Sequence, residues 1–214
     1  MAVGGDHMLA IDHIVIAAKD PEQAARDFGK EYDIQITEGG RHANWGTYNY
    51  LAYFRNDCYI EWLGIFDETT AARSDNPLIH LLFRELAEGH EGAIQFALRT
   101  NQMDDAIQHL RKLDMPFTGP VRGSRQLPDG SLLEWRMLFP ETNWEVLPFM
   151  IEWNKGKNTP QDPNLINDKT ISLTTHLTDP GMLSSIYQLN VNDGIVRLDN
   201  AELTLSGELN VSVE

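Results

Sequence analysis

Apolar side chains along the chain alternate between two periods, one suited to strands and one to helices. Ile11-Asp-His-Ile-Val-Ile-Ala-Ala18 is dense in β-branched residues and reads as a buried strand. Asp20-Pro21 starts a helix, because Asp can cap it and Pro is tolerated at the first helical position. That helix runs from about Pro21 to Gly29, with Ala24, Ala25 and Phe28 on its apolar face. Tyr32 to Thr37 is expected as a short strand broken by Gly39-Gly40, followed by a loop from Arg41 to Thr47. Tyr48 to Phe54 and Cys58 to Ile65 are two more strands around the turn Arg55-Asn56-Asp57. The order is β-α-β-β-β.

A connector comes next. Ser74, Asp75 and Pro77 signal a helix start, and Leu78, Leu81, Leu82 and Leu86 recur at helical spacing before Gly89 and Gly92. The pattern then restarts. Ala93 to Arg99 is a strand and Met103 to Leu113 a helix with Ala106, Ile107 and Leu110 as its stripe. Met115 to Pro120 leads into a short strand, and Pro128-Asp129-Gly130 is a tight turn. Leu132 to Phe139 and Pro148 to Trp153 are further strands. The order is again β-α-β-β-β.

Arithmetic supports a repeat. Ala24-Ala25-Arg26-Asp27-Phe28 matches Ala106-Ile107-Gln108-His109-Leu110 at an offset of 82, which carries His13 onto Gln95. Tyr59-Ile60-Glu61-Trp62 returns as Phe149-Met150-Ile151-Glu152-Trp153, placing Glu61 on Glu152 at an offset of 91. The polar stretch from Asn154 to Asp168 reads as a linker. Beyond it Asp179-Pro180 repeats Asp20-Pro21 at an offset of 159, with a helix expected over 182–189 and strands over 195–198 and 201–205. Ser172 stands at the His13 position, so this unit adds no ligand. The fold class is α+β: two paired βαβββ modules, 9–66 and 93–154, forming a cupped mixed sheet. A helical connector (67–92) joins them. A linker (155–169) precedes a partial third βαββ unit (170–214).

A carboxylate inside a strand core is costly unless it is hydrogen-bonded, paired or bound to a metal, so Glu61 and Glu152 mark the chemistry. The 214 residues are 42% hydrophobic and 23% charged, ordinary for a soluble protein. No apolar run is long enough to span a bilayer, and no secretory signal is visible. The opening Met1 to Met8, His7 included, looks unlike the rest of the chain and carries no weight for the fold. Cys58 is the only cysteine, which excludes an intrachain disulfide framework and fits a reducing cytoplasm. The formal charge of −15, without a run of Lys or Arg, argues against nucleic acid or anionic membrane as partners.

The two units, with Ile11-Asp12-His13-Ile14-Val15-Ile16, Gly39-Gly40-Arg41-His42, Trp45-Gly46-Thr47-Tyr48-Asn49 and Tyr59-Ile60-Glu61-Trp62, resemble the vicinal oxygen chelate superfamily. More narrowly they resemble its glyoxalase-like domain proteins, over about residues 9–154. The resemblance implies paired modules around a shared cup, with metal ligands on the first and last strand of each. Carried over, these are His13, Glu61, Gln95 and Glu152. One imidazole, one amide oxygen and two carboxylates suit a divalent ion such as Zn, Ni, Co, Mn or Fe with open positions. Each also has a plainer role. His13 can be a core histidine bonded to Asp12 or backbone, Gln95 can satisfy a strand neighbour, and the glutamates can face solvent.

The implied function is a metal-dependent lyase or isomerase stabilising an enediolate of a small oxygenated substrate, with Glu152 or Glu61 moving the proton. His42, Trp45, Tyr48 and Asn49 offer a substrate wall, and His42 can also shuttle a proton. Trp45 and Tyr48 serve equally well as core aromatics. Trp62 and Trp153 are expected to pack against the helices. Two alternatives stand. A metal-free protein that binds and sequesters a small molecule would leave both glutamates bonded to protein groups. An extradiol-type dioxygenase would need a second histidine, for which His42 is the candidate. The third unit either caps a sheet edge or forms a subunit contact, which leaves a homodimer open.

Overall fold

A computed structural model describes residues 9–127, 129–177 and 179–214; Pro128, the first residue of the expected turn, lies outside them, as do Met1 to Met8 and Thr178. The first module contains β1 (Ala10–Ala17), α1 (Pro21–Tyr32), β2 (Thr37–His42), β3 (Thr47–Phe54) and β4 (Tyr59–Ile65). Asp20 caps α1 by accepting the Gln23 N–H at 3.0 Å, worth about 1 kcal/mol for such a cap. The helix outruns its expected end by three residues and stops where Asp33 turns left-handed, at φ 50°. The strand expected over 32–37 is therefore shifted on to Thr37–His42. Gly39-Gly40 does not break it. The pair forms a bulge instead, between Glu38 and Gly40, with Gly40 at φ 141°.

Two helices, α2 (Glu68–Ala72) and α3 (Pro77–Ala87), form the connector. The second module contains β5 (Gly92–Arg99), α4 (Met103–Lys112), β6 (Phe117–Gln126), β7 (Leu132–Pro140) and β8 (Phe149–Trp153). The main sheet runs β2-β3-β4-β1-β5-β8-β7-β6. Within each module the first and last strands pair in parallel, and the modules join through antiparallel β1 and β5. The sheet curls until its two edge strands approach, where the Arg125 guanidinium on β6 donates to the Gly39 carbonyl on β2.

Strand alternation gives the sheet two faces. Val15, Leu51, Leu63, Ala97, Met137 and Ile151 point into the cup, where Leu78, Ile79 and Leu82 of α3 pack on them. Ile14, Ile60, Trp62, Phe96, Leu98 and Met150 point outward and meet Ala25 of α1, and Met103, Ile107 and Leu110 of α4.

A short helical turn (Pro163–Leu165) and β9 (Ile166–Asn167), which pairs with β3, lead to the C-terminal unit. It holds β10 (Ile171–Thr174), α5 (Gly181–Tyr187), β11 (Val191–Asn192), β12 (Ile195–Arg197), β13 (Glu202–Thr204) and β14 (Asn210–Val213). The order in its sheet is β11-β12-β13-β10-β14. Along the chain the unit runs β-α-β-β-β with β14 as a further strand, two strands more than the βαββ unit expected. Its strands are only two to four residues long, and β11 carries too little periodicity to register in the sequence. β14 pairs antiparallel with β10, as β5 pairs with β1. The unit's apolar residues, Leu173, Leu183, Ile186 and Leu203 among them, belong to the core outside the cup.

Candidate functional site

The floor of the cup is built from β1 and β4. His13 is paired with Tyr59 and Val15 with Glu61, so His13 and Glu61 face inward on adjacent strands. His13 Nε2 lies 3.5 Å from Glu61 Oε2. Both are buried, at 3% and 7% exposure. Asn49 on β3 donates from Nδ2 to Glu61 Oε1 at 2.5 Å, fixing the carboxylate's orientation.

His13 is held from behind by Asp12, although neighbours in a strand ordinarily face opposite ways. A bulge accounts for this. Ile11 pairs with Leu98 and His13 with Ala97, so Asp12 is an extra residue with no partner on β5. Its fully buried carboxylate accepts from His13 Nδ1 at 2.7 Å, Trp153 Nε1 at 3.0 Å and Arg99 Nη1 at 3.2 Å. The imidazole stacks on Tyr59, with centroids 4.6 Å apart, and meets the edge of Phe149 at 5.6 Å. The result is a buried chain Asp12–His13–Glu61 whose last member opens onto a cavity.

That cavity spans about 480 Å³, part of it open to solvent. Trp135, Phe149, Ile151 and Trp153 from the second module form its apolar wall. Its polar lining, besides His13, Glu61 and Asn49, includes His42, Thr47, Tyr59, Arg125 and Asn158. His42 Nδ1 is 3.1 Å from Thr47 Oγ1. Burial holds the His42 pKa below the usual histidine range, against an opposing pull from Glu61 and with a smaller push from Arg125. Arg125 donates from Nη2 to Asn158 Oδ1 at 3.2 Å, and Tyr53 donates to the same oxygen at 3.3 Å. Burial raises the Tyr59 phenol well above its ordinary pKa.

Of the four expected ligands, the cup brings together His13 and Glu61 and leaves out the other two. Gln95 is committed elsewhere: its Nε2 donates to the Leu147 carbonyl at 2.9 Å, and its Oε1 accepts the Phe96 N–H at 2.9 Å. It lines a separate cleft beside α3. Glu152 points outward. Its carboxylate accepts from Arg136 Nε at 2.5 Å and from the Met103 N–H at 3.2 Å, anchoring the start of α4. For Glu152 the cause is a one-residue slip in the repeat arithmetic, which in a strand moves a side chain to the other face, whereas Gln95 is two residues out of step and is displaced along the strand rather than turned over. Ala97 pairs with Phe149 as His13 pairs with Tyr59, so Glu61 is matched by Ile151 and His13 by Ala97.

The same slip puts Trp153 inside the cavity, whereas Trp62 does pack against α1, its ring 5.3 Å from that of Phe28. Among the expected substrate residues, His42, Trp45 and Asn49 line the cavity. Tyr48 does not. It alternates to the outer face, where Asp20, Arg41 and Glu22 are its charged neighbours.

These donors do not fit the four-ligand divalent centre that the resemblance implies. Among the described residues, three His, Cys, Asp or Glu ligand atoms lie within 4.8 Å of one another at Glu85, Glu88 and His90, at the C-terminal end of α3. His42 therefore does not complete a two-histidine, one-carboxylate set with His13 and Glu61. Sequence reasoning also missed Arg125 and Asn158. The first lies in β6, whose composition is not strand-like, and the second lies in the linker.

No helix among the described residues is long and apolar enough to cross a membrane. Comparison with curated proteins gives no match. Several solved structures are similar in fold. A hypothetical protein from Staphylococcus aureus has a TM-score of 0.77 at 18% identity, over 96% of this chain and 91% of that one. Methylmalonyl-CoA epimerase from Streptomyces coelicolor, in complex with 2-nitronate-propionyl-CoA, has a TM-score of 0.51 at 17% identity, over 71% of this chain and 99% of that one. The epimerase from Mycobacterium tuberculosis has a TM-score of 0.50 at 18% identity, over 69% and 91%. The sequence profile of the glyoxalase-like domain family matches residues 11–178. With that match and the paired βαβββ modules around a cup, the chain belongs to the glyoxalase-like domain family of the vicinal oxygen chelate superfamily.

Proposed function

We propose that the chain is an enzyme that moves a proton on a small oxygenated molecule, using Glu61 and His13 as its acid–base pair. The observation that carries this reading is the buried Asp12–His13–Glu61 chain ending at a cavity lined by aromatic and polar side chains. Glu61 takes a proton from a carbon beside a carbonyl. His13 Nε2, 3.5 Å from Glu61, takes that proton on, and Asp12 stabilises the imidazolium that forms through Nδ1. Asn49 keeps one carboxylate oxygen occupied so that the other faces the substrate. Return of the proton to the same or a neighbouring carbon gives an epimerase, isomerase or lyase outcome. The metal-dependent form of this chemistry lacks two of its four ligands in the cup, so no step is assigned to an ion. The fold neighbours named as methylmalonyl-CoA epimerases are consistent with proton chemistry in this architecture.

A second reading, a protein that binds and sequesters a small molecule, is favoured by one observation. Glu61 and Glu152 are both bonded to protein groups, and the cavity wall is aromatic. One experiment separates the two. The protein is incubated in D₂O with a panel of small 2-oxo and 2-hydroxy acids and their esters, and loss of α-proton signals is followed by ¹H NMR. Exchange that falls by about 10²- to 10⁴-fold in Glu61→Gln, and is unchanged in Glu152→Gln, supports the enzyme. Saturable binding without exchange of any bound compound rejects it in favour of sequestration.

A further inference from the structure

The curled sheet does not fully close, and a second cleft runs along the seam between its edge strands. This cleft encloses about 820 Å³, part of it open to solvent, and is lined by Arg41 on β2 and by Arg122 and Arg125 on β6. It shares His42, Trp45 and Arg125 with the cavity, so the two adjoin. The charge here runs against that of the whole molecule, which has 17 basic residues to 32 acidic ones.

Among the described residues the three guanidiniums form no ion pair, although Glu134 lines the same cleft; Arg73 and Arg111 elsewhere also form none, whereas Arg26, Arg55, Arg84, Arg99, Arg136 and Arg197 all do. Arg125 spends N–H groups on two neutral acceptors, the Gly39 carbonyl and Asn158 Oδ1. Arg41 lies over the Phe66 ring, 4.6 Å from its centroid. A guanidinium carries five N–H donors in a fork that matches carboxylate and phosphate oxygens, so donors and charge remain available at the seam.

We propose that the seam is the entrance to the cavity and an oxyanion-recognition subsite, so that the ligand carries a carboxylate or phosphate group held by Arg125 with Arg41 and Arg122. This rests on the reading that the cavity takes a small molecule; it does not depend on proton transfer. An anion at the seam places the rest of the ligand past Arg125, toward Glu61 and His13.

Trp45, Trp135 and Trp153 line the cavity, so intrinsic fluorescence reports occupancy without turnover. The full chain is titrated with malonate, with inorganic phosphate and with the neutral isostere malonamide, at low and high salt. The expected result is a saturable shift with at least one anion, weakened by salt, and at least tenfold weaker binding of malonamide. The tighter of the two anions assigns the class. The double variant Arg41→Gln/Arg122→Gln keeps the Arg125 bridge and is expected to bind about threefold to tenfold more weakly; Arg125→Gln is expected to lose more. Equal binding of malonate and malonamide, no saturable shift with either anion, or unchanged affinity in the double variant overturns the proposal. Anion binding without α-proton exchange in D₂O leaves the subsite standing and removes the catalytic reading alone.

Discussion

Replacing Asp12 by Asn tests the arrangement at its most constrained point. The carboxylate accepts from three donors, His13 Nδ1, Trp153 Nε1 and Arg99 Nη1, and has no access to water. An asparagine offers one acceptor oxygen in place of two. With that oxygen left to Trp153 and Arg99, the new amide group faces His13 Nδ1 as a donor. The imidazole can accommodate it by moving its proton to Nε2 and accepting at Nδ1. The perturbation therefore spares shape and removes a charge-assisted bond to Arg99, for which a loss of about 1.5–3 kcal/mol is expected. Urea unfolding reads this directly. A double-mutant cycle with Trp153→Phe gives the coupling to the indole, expected at about 1 kcal/mol or more. ¹⁵N NMR of His13 reads the tautomer, expected to change from Nδ1–H in the wild type to Nε2–H in Asp12→Asn. Loss of the partner that stabilises the imidazolium lowers α-proton exchange by about 10²-fold or more. Stability within about 0.5 kcal/mol of wild type, together with an unaltered His13 tautomer, would refute the proposed role of the bulge and its carboxylate.

The same geometry sets three further outcomes. Glu152→Gln weakens the anchor on Arg136 and the Met103 N–H, so it should lower stability by about 1–3 kcal/mol in urea unfolding and leave ligand affinity unchanged; a loss of affinity like that of Glu61→Gln would place it back in the site. Burial depresses the His42 pKa in the fold, so the unfolded chain binds its proton first as pH falls. The stability His42 contributes is then complete above its unfolded pKa of about 6.5 and declines as pH drops from there toward the folded value. Urea midpoints between pH 7.5 and 5 should fall less steeply in His42→Gln than in wild type. Burial pushes the Cys58 thiol up to about 12, so the native protein should resist iodoacetamide at pH 8 and react fully only in denaturant; rapid native labelling would contradict the packing around β4.

Most of the fold was legible because two-residue and 3.6-residue periods are strong over eight to twelve residues. The two βαβββ modules, α3 and the start of the third unit all rest on such runs. What escaped was set by local chemistry rather than by period. The Gly39-Gly40 pair reads as a breaker, yet Gly39 is held in β2 by packing: a Cβ there would collide with Asn49 Oδ1. β6 carries Gly119, Pro120, Gly123 and two arginines, and is a strand because β7 pairs with it along nearly its whole length. At the cavity, His13, Glu61 and Asn49 were legible because they stand in strongly patterned strands, and His42 and Trp45 because the resemblance singles out the stretch read as a loop. Glu152 was not, because repeats of different length can be aligned on either Tyr59 with Phe149 or Glu61 with Glu152. Sequence offers no reason to prefer the first, whereas hydrogen-bond register decides it.

That register also explains why a symmetric scaffold carries an asymmetric site. Equivalent positions in the two modules are His13 and Ala97, Tyr59 and Phe149, and Glu61 and Ile151. Each polar member lies in the first module and each apolar one in the second. The ionisable chain is thus confined to β1 and β4, where the Asp12 bulge and Asn49 satisfy it. The facing wall of Phe149, Ile151, Trp135 and Trp153 offers no competing carboxylate. Two acids meeting across the cup would repel and oblige one to take up a proton. With Ile151 in place of a second acid, Glu61 meets the imidazole instead, and the cavity divides into an ionisable half and an apolar half.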